Sequence, residues 1–254
     1  PTRSCPQASS DDVDLVVEKL SKAKKPLMIV GNGVRLSCGI EELESFLKKS
    51  AIPVITAING NDIVNEDYPF YYGRFGTHAQ ICANKLLAEC DFLLSVGSRL
   101  YVRQTGYNFK SFAKNAYRVY VDIDQAELDK PTLFPDLKIC SDAKVFLSKL
   151  SNSIAGRKIL PTSDWIDTCN KYNKEPKVLP RHRNKKKYVS NYFFIEKLSE
   201  ALGEEDHVVT SDGSANVVTM QVMKLKGKQR LITNTGCAPM GYGLPAAIGA
   251  SVHG

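Results

Sequence analysis

The sequence predicts an α/β fold, in which helices cover both faces of a parallel sheet and a second α/β unit begins near the end of the chain. Short apolar runs alternate with amphipathic segments up to about residue 150, and the apolar runs have no polar face. Strands of that kind are typical of parallel sheets that are buried on both sides. A charged, proline-containing stretch then interrupts the pattern. The alternation resumes after it, which predicts the second unit.

The first predicted element is a helix over residues 11–23. Apolar residues recur there at helical spacing, and a serine or aspartate at positions 9–11 can cap its N-terminus. Apolar strands and amphipathic helices then alternate. The predicted elements are a strand at 26–30, a helix at 40–49, a strand at 53–56, a helix at 79–89, strands at 92–96 and 118–123, and a helix at 143–150.

Residues 156–188 are predicted to connect two domains, because the periodicity fades there and charged and proline residues dominate. The domain before this linker covers residues 1–155, and a partial domain after it covers residues 189–254. The linker itself is predicted to hold one short helix at 165–172. The second domain is predicted to contain a helix at 192–202, a strand at 207–210, a helix at 217–223, a strand at 230–233 and a helix that begins at Pro245.

Composition indicates a globular protein and argues against several functional classes. No apolar run approaches the ~18 residues of a membrane span, and no export signal opens the chain. The chain also lacks an initiator methionine, so we expect a cytoplasmic fragment of a longer protein. The seven cysteines contain no Cys-x-x-Cys pair, which favours reduced thiols in a cytosolic protein over a zinc or redox motif.

The net charge of +7 comes largely from a basic run at residues 181–187. Such a run is typical of a solvated linker, and it lacks the interleaved aromatic residues of single-strand binders. We therefore expect no nucleic acid and no membrane among the partners.

Four loops at the ends of predicted strands carry glycines, arginines or carboxylates, and one of them spans residues 72–78. Ligands of open α/β sheets bind at the carboxyl ends of the strands, where glycines let the backbone approach phosphate and arginines can pair with it. The loops predict a nucleotide site, although a Gly-x-Gly turn after a strand also occurs without a ligand. The candidate residues are Gly31, Gly33, Gly76, Thr77, Arg99, Arg103, Asp122 and Asp124.

Other catalytic arrangements find little support. Asp122 and Asp124 could also form an acid/base pair or a metal site, but they are not expected to share one ligand, and catalysis by this pair is not expected. His78 is interpreted as a plain polar contact. The sequence contains no Gly-x-Ser-x-Gly elbow, Walker loop or His-Glu-x-x-His motif, which argues against hydrolase and kinase functions.

The most informative segment lies between a predicted strand and a predicted helix near the end of the chain. Residues 238–250 read Ala-Pro-Met-Gly-Tyr-Gly-Leu-Pro-Ala-Ala-Ile-Gly-Ala. Small residues let such a helix pack closely against a neighbour. A simple strand-to-helix connection would explain the glycines and alanines, but not the complete string.

This string resembles the thiamin-binding loop of acetolactate synthases and related thiamin diphosphate-dependent enzymes, typically Gly-x-Met-Gly-x-Gly-Leu-Pro-Ala-Ala-Ile-Gly-Ala. The resemblance implies that Met240 wedges beneath the cofactor and holds thiamin in its bent conformation. The family usually has larger polar residues at positions 214 and 215, so contacts there are expected from the backbone. The implied contacts with thiamin diphosphate come from Gly213, Ser214, Ala238, Met240 and Gly241.

The resemblance extends over most of the chain and implies that residues 1–155 form the Rossmann-like central domain of this family. In acetolactate synthases the loops of that domain hold FAD, which has no redox role in the reaction. Other members bind ADP there, or nothing. The eight candidate residues of the first domain would then contact FAD or ADP. Asn32 and Ser141 depart from glycines that are common in the family.

The resemblance also implies that this chain contains no catalytic residue and no metal ligand. The glutamate that activates the thiamin ring belongs to an N-terminal domain, and the motif that binds Mg²⁺ would begin just past Gly254. We therefore expect the polypeptide alone to be inactive and the parent protein to be a homodimer or larger homo-oligomer.

The function expected of the parent is decarboxylation of a 2-oxo acid such as pyruvate, followed by carboligation. One alternative is a 2-oxo acid decarboxylase or another lyase of the same family. An alternative of another class is a nucleotide-binding domain without catalysis.

Overall fold

The structure, a computed structural model, describes residues 5–157, 159–184 and 187–253. Its first unit alternates helices and strands and contains short 3₁₀ turns at Ile58–Gly60 and Phe109–Ser111. The elements are α1 Ser10–Lys22, β1 Pro26–Val30, α2 Gly33–Leu36, α3 Ile40–Ser50, β2 Val54–Thr56, β3 Tyr71–Arg74, α4 Ile81–Glu89, β4 Phe92–Val96, α5 Val102–Thr105, β5 Tyr117–Asp122, α6 Gln125–Asp129, β6 Leu137–Cys140 and α7 Ala143–Ser153.

Six strands form one sheet in the order β3-β2-β1-β4-β5-β6, and every neighbouring pair is parallel. Met28 of β1 pairs with Val54 of β2 on one side and with Leu94 of β4 on the other. The strand order reverses between β1 and β4. In open α/β sheets a crevice for ligands forms at such a reversal, beyond the carboxyl ends of the strands.

Two apolar clusters cover the two faces of this sheet, which explains why its strands need no polar face. Leu27 and Ile29 of β1 pack into one cluster with α4, whereas Met28 and Val30 pack into the other with α1, α3 and α7. Successive side chains of a strand point to opposite faces, so a strand between two helical layers is apolar throughout. The predicted α/β class with a parallel sheet is confirmed.

The second unit is smaller. Two helices in the predicted linker precede it, α8 Ser163–Asn173 and α9 Pro180–Arg183. Its own elements are α10 Asn191–Ala201, β7 His207–Val209, α11 Gly213–Val222, β8 Arg230–Ile232 and α12 Gly243–His253. β7 and β8 pair in parallel, and Ile195, Met220 and Leu231 belong to the apolar cluster that packs against them. Among the described helices, none combines the length and the apolar character needed to cross a bilayer.

Helix α8 packs on the first unit rather than lying free in the predicted linker. Trp165 is buried and donates a hydrogen bond from Nε1 to the carbonyl oxygen of Pro26 at 2.9 Å. The hydroxyl of Tyr72 donates to Oδ1 of Asn170 at 3.0 Å. The linker segment therefore contributes a helix to the core of the first unit.

Several local predictions need correction. The loop predicted at 72–78 begins as strand β3, which ends at Arg74. The strand predicted at 118–123 is observed one residue earlier, at Tyr117–Asp122, and Asp124 caps α6. Helix α12 begins at Gly243, which makes Pro245 its third residue rather than its first. In each case backbone hydrogen bonding extends or ends an element where the local composition gives no signal.

Candidate functional site

The loops after β1 and β4 cross in direct contact at the point where the strand order reverses. The amide of Gly33 donates to the carbonyl oxygen of Gly97 at 2.9 Å. A Cβ atom at Gly31 would lie 2.2 Å from that same oxygen, and one at Gly33 would lie 2.7 Å from the Cα of Gly97. Only glycine fits at these positions, because the neighbouring atoms belong to the backbone and cannot move aside. These glycines therefore serve first to let two loops approach each other.

A cavity of about 150 Å³ opens beside this crossing and is lined by Gly33, Gly97, Asp122 and Ser141. Typical ligand pockets measure ~300–1,000 Å³, so a nucleotide would extend beyond this cavity along the open edge of the sheet. Burial raises the pKa of the Asp122 carboxyl above its usual value. The Oδ1 atom of Asp122 accepts a hydrogen bond from the amide of Asp124 at 3.0 Å.

Asp124 itself is turned towards its own helix. Its Oδ1 atom accepts a hydrogen bond from the amide of Ala126 at 2.9 Å, as an N-cap residue does. The two aspartates predicted to contact a nucleotide thus have different local roles. Asp122 lines the cavity, and Asp124 starts α6.

The remaining candidates of the first unit come from the loops after β3 and β4, and hydrogen bonds connect these two loops. Thr77 donates to the carbonyl oxygen of Arg103 from its amide at 2.9 Å and from its hydroxyl at 3.0 Å. Gly76 is fixed by Asn84, whose side chain both accepts from its amide and donates to its carbonyl oxygen. Arg99 is largely exposed and pairs through Nε with Glu127 at 2.9 Å. The structure therefore brings these residues to the same edge of the sheet, with the Arg99 guanidinium accessible.

In the second unit, the loops after β7 and β8 lie side by side. A Cβ atom added at Gly243 would lie 3.0 Å from the Cβ of Ser211, so the start of α12 touches the residues just before α11. Gly213 begins α11 with a φ of +65°. A Cβ there would meet no atom within 4 Å, which leaves the backbone of Gly213 facing open space. The exposed residue Ser214 follows it in the first turn.

The loop between β8 and α12 has an unusual backbone. Ala238 has a φ of +48°, which is uncommon for a residue other than glycine, and Gly241 has a φ of +85°. Met240 lies between them with 89% of its surface exposed. On α12, Leu244, Ile248 and Val252 recur every four residues and are all exposed, so they form an apolar strip that no described residue covers.

The structure adds residues that the sequence did not single out, because they join the two units. Asn59, just after β2, and Thr235, in the loop before α12, share a hydrogen bond between their side chains. Arg74, counted among the arginines of the loop at 72–78, is fully buried and is directed to the second unit instead of the open edge. The sequence signal for such a buried arginine is its position within an aromatic stretch, since residues 70–75 read Phe-Tyr-Tyr-Gly-Arg-Phe.

A separate cavity of about 580 Å³ lies between the connecting segment and the second unit and contains none of the predicted site residues. Its walls carry charges of both signs, among them Lys177 and Glu66, whose Nζ and Oε1 atoms are 3.8 Å apart. Burial lowers the pKa of Lys177 to about 8. The described residues contain no cluster of three or more His, Cys, Asp or Glu side chains suited to a metal ion.

Comparison with protein families gives two matches that follow the two units. Residues 13–150 match the central domain of thiamine pyrophosphate enzymes. Residues 212–254 match the C-terminal thiamine pyrophosphate-binding domain of the same enzymes. The second match contains the loop with Met240 and the start of α11.

Similar curated proteins include three acetolactate synthase large subunits. The chain is 35% identical over 247 residues to the protein of Cyanidium caldarium, which covers 93% of this chain and 41% of the relative. It is 32% identical to the protein of Lactococcus lactis, over 97% of this chain and 42% of the relative. It is 31% identical to isozyme 2 of Escherichia coli, over 95% of this chain and 42% of the relative. The chain thus spans about two fifths of the length of these relatives.

Proposed function

Since the chain belongs to the family of thiamine pyrophosphate enzymes, we propose that it is part of an acetolactate synthase-like enzyme that acts on 2-oxo acids. The proposed reaction is decarboxylation of pyruvate followed by carboligation to a second 2-oxo acid. Large subunits of acetolactate synthase are the relatives that support this choice within the family.

The observation that carries the proposal is the exposed Met240 between two residues of positive φ. A methionine side chain left in water forgoes roughly 1.5–3 kcal/mol of burial free energy. Met240 lies in the irregular backbone between Ala238 and Gly241, and its side chain is exposed instead of packed in the apolar cluster of the second unit. Such an arrangement is expected where an aromatic cofactor packs on the side chain.

The residues around Met240 fit thiamin diphosphate. Helix α11 begins at Gly213 with open space above its backbone, and a helix N-terminus of this kind attracts phosphate through its free amides and its dipole. Ser214, in the first turn, can add its backbone amide. When bound, thiamin diphosphate supplies the nucleophilic carbon that attacks the carbonyl of the 2-oxo acid and the electron sink that accepts the electrons left when CO₂ departs.

We also propose that the carboxyl edge of the first unit binds FAD or ADP. The accessible Arg99 guanidinium can pair with a diphosphate, and Asp122 in the cavity can accept a hydrogen bond from a ribose hydroxyl. A flavin absorbance spectrum of the purified protein would support FAD. Binding of ADP to a colourless protein would support the second choice.

The ligands of Mg²⁺ and the activating glutamate are proposed to come from parts of the enzyme other than these 254 residues.

We propose that the assembled enzyme is a homodimer or larger homo-oligomer in the cytosol. The apolar strip on α12 supports contact with further protein, because an uncovered strip of this length favours association. These 254 residues alone are then expected to show no turnover of pyruvate with added thiamin diphosphate and Mg²⁺, and clear activity would contradict this part of the proposal.

The test uses the complete gene product that contains these residues, with thiamin diphosphate, Mg²⁺ and pyruvate. We expect consumption of pyruvate, release of CO₂ and formation of acetolactate. Acetaldehyde as the only product would indicate a decarboxylase, in which a proton replaces the second 2-oxo acid. Binding of FAD or ADP without any binding of thiamin diphosphate would overturn the proposal in favour of a non-catalytic nucleotide-binding domain.

A variant of the same protein tests the role of the exposed methionine. Met240→Ala should weaken binding of thiamin diphosphate about tenfold or more, because the truncated side chain loses apolar contact with the ring. Leu160→Ala is the matched control, since Leu160 is also an exposed apolar residue but lies in the segment between the two units. Unchanged affinity for thiamin diphosphate in Met240→Ala would show that the exposed methionine does not contact the cofactor, and the proposal would lose its main support.

A further inference from the structure

Arg74 is fully buried at the end of β3, although no carboxylate of the described residues lies within salt-bridge distance of its guanidinium. Its Nη1 atom donates to the carbonyl oxygen of Met223 at 2.7 Å and, less closely, to that of Met220 at 3.4 Å. Both acceptors lie at the C-terminal end of α11. Its Nε atom also donates to the carbonyl oxygen of Asn61 in its own unit at 3.4 Å, so main-chain oxygens alone balance this buried cation, and the shortest of these bonds goes to the other unit.

This pairing is favourable for a reason that is specific to helix ends. The last carbonyl oxygens of a helix have no partner within it and carry the negative end of the helix dipole. A guanidinium is always charged and presents several N–H donors in one plane, so it can satisfy more than one of these oxygens. Arg74 thus acts as a C-terminal cap for α11, supplied by the neighbouring unit.

Gln80 reinforces the same contact. Its Oε1 atom accepts a hydrogen bond from the amide of Arg74 at 3.1 Å, and its Nε2 atom donates to the carbonyl oxygen of Gln221 at 3.2 Å. The turn between β3 and α4 therefore holds the end of α11 at three points, the carbonyl groups of Met220, Gln221 and Met223.

Arg74 and Gln80 together form a clamp on the C-terminal end of α11, and the helix connects this clamp to the proposed cofactor site. It has ten residues and begins at Gly213, so the clamp and the open backbone of Gly213 lie at its two ends, ~15 Å apart. A helix is stiff along its axis, and fixing one end sets the position of the other. The geometry points to Arg74 as a positioning residue: by holding α11, it places the first amides of the helix for the diphosphate of thiamin diphosphate. This inference rests on the proposed function.

Other contacts keep the two units together without Arg74, so its removal should not separate them. The Oε2 atom of Glu66 accepts a hydrogen bond from the amide of Leu225 at 2.7 Å, and Oδ2 of Asp67 accepts one from the amide of Gly227 at 2.7 Å. These bonds lie beyond the end of α11. They fix the chain after the helix but not the helix itself.

The experiment compares variants of the complete gene product in three measurements: affinity for thiamin diphosphate, KM for pyruvate at saturating cofactor, and melting temperature. Arg74→Met should weaken cofactor affinity about tenfold or more, with KM changed less than about twofold. Arg74→Lys keeps one cationic donor and should restore part of the affinity. Arg118→Met is the control, because Arg118 lies on β5 of the same sheet, paired with Asp136 away from α11; it should lower the melting temperature without changing cofactor affinity.

The outcomes separate the inference from the proposed function. Failure of the unsubstituted protein to bind thiamin diphosphate would overturn the proposed function and this inference with it. Binding by the unsubstituted protein with unchanged affinity in Arg74→Met would overturn the inference alone. If Arg74→Met does not fold, Arg74→Lys decides: reduced cofactor affinity in a folded Arg74→Lys protein supports the positioning role, and full affinity overturns it.

Discussion

The Oδ2 atom of Asp62 lies 2.6 Å from Nε of Arg230, so a carboxylate of the first unit pairs with an arginine of the second. The other oxygen of Asp62 accepts from Nη2 of Arg35 at 2.7 Å, and the Asp62 side chain is only 5% exposed. One nearly buried carboxylate therefore forms an ion pair with one arginine from each unit. Together with the clamp at Arg74, this contact sets how α11 and β8 meet the first unit.

Asp62→Asn should lower the free energy of unfolding by about 1–3 kcal/mol, because the two arginines would lose a charge-assisted partner at a site that water reaches poorly. Denaturant unfolding followed by circular dichroism measures this change. Asp129→Asn is the matched control, since Asp129 pairs with Lys138 at 2.7 Å on the exposed surface and such pairs contribute at most about 1 kcal/mol. Equal losses in the two variants would contradict a special role for Asp62.

Gly31→Ala should destabilise the first unit by about 1–3 kcal/mol or more, because the added methyl group would meet the Gly97 carbonyl oxygen at 2.2 Å. The loops after β1 and β4 would have to separate, so binding of FAD or ADP should weaken as well. Thermal unfolding and nucleotide titration measure the two effects. Gly249→Ala is the control: Gly249 is inside α12 with open space around it, where alanine should be neutral or favourable. A stable Gly31→Ala protein would show that the loops can shift at little cost.

The strands of the first unit show what local sequence can and cannot predict. β1 and β4 are predicted at their observed bounds, because five consecutive residues of low polarity end at a glycine turn in each. β3 is missed because it contains Gly73 and Arg74, which are typical of a loop. The burial of Arg74 depends on carbonyl groups of α11, almost 150 residues later in the chain. No local pattern carries that information.

The residues of the candidate site also fall into two groups, those that one continuous segment of sequence reveals and those that only contacts between the units reveal. The loop with Met240 could be singled out from sequence alone because its residues form one continuous string. Arg74, which holds α11, and Asp62, which holds β8, come from a different unit and leave no motif. The sequence places Asp124 beside Asp122 in one acidic loop, but the Asp124 carboxylate caps α6, and only the observed end of β5 distinguishes the two. Contacts within one loop are thus predictable, whereas contacts between units are not.

Trp165→Phe should lower the free energy of unfolding of the first unit by about 1–3 kcal/mol, since the hydrogen bond from Nε1 to Pro26 is lost and a cavity is left in the core. Circular dichroism in a denaturant series measures the change, because Trp165 is the only tryptophan and its fluorescence disappears with it. Tyr188→Phe serves as the control, as Tyr188 is 71% exposed. If Trp165→Phe is as stable as this control, α8 does not belong to the core of the first unit.

Three buried thiols predict that stability falls in mild alkali. Burial raises the pKa of Cys82 and Cys90 from 9.0 to about 12 and also raises that of Cys169. A thiol whose pKa is higher in the folded state stabilises the protein fully below the unfolded pKa, and this contribution is lost as the pH rises from about 9 towards the folded pKa. Each thiol then lowers the free energy of unfolding by roughly 1.4 kcal/mol per pH unit. Cys90→Ala should reduce the slope between pH 9 and 10 by one such contribution, whereas Cys5→Ala, which removes an exposed thiol, should leave it unchanged. Lys177, whose pKa burial lowers to about 8, acts in the opposite direction but equally in all of these proteins.

Urea unfolding under reducing conditions at closely spaced pH values measures the slopes. The same slope with and without Cys90 would contradict the prediction, because it would show that this thiol ionises as readily in the folded protein as in the unfolded one.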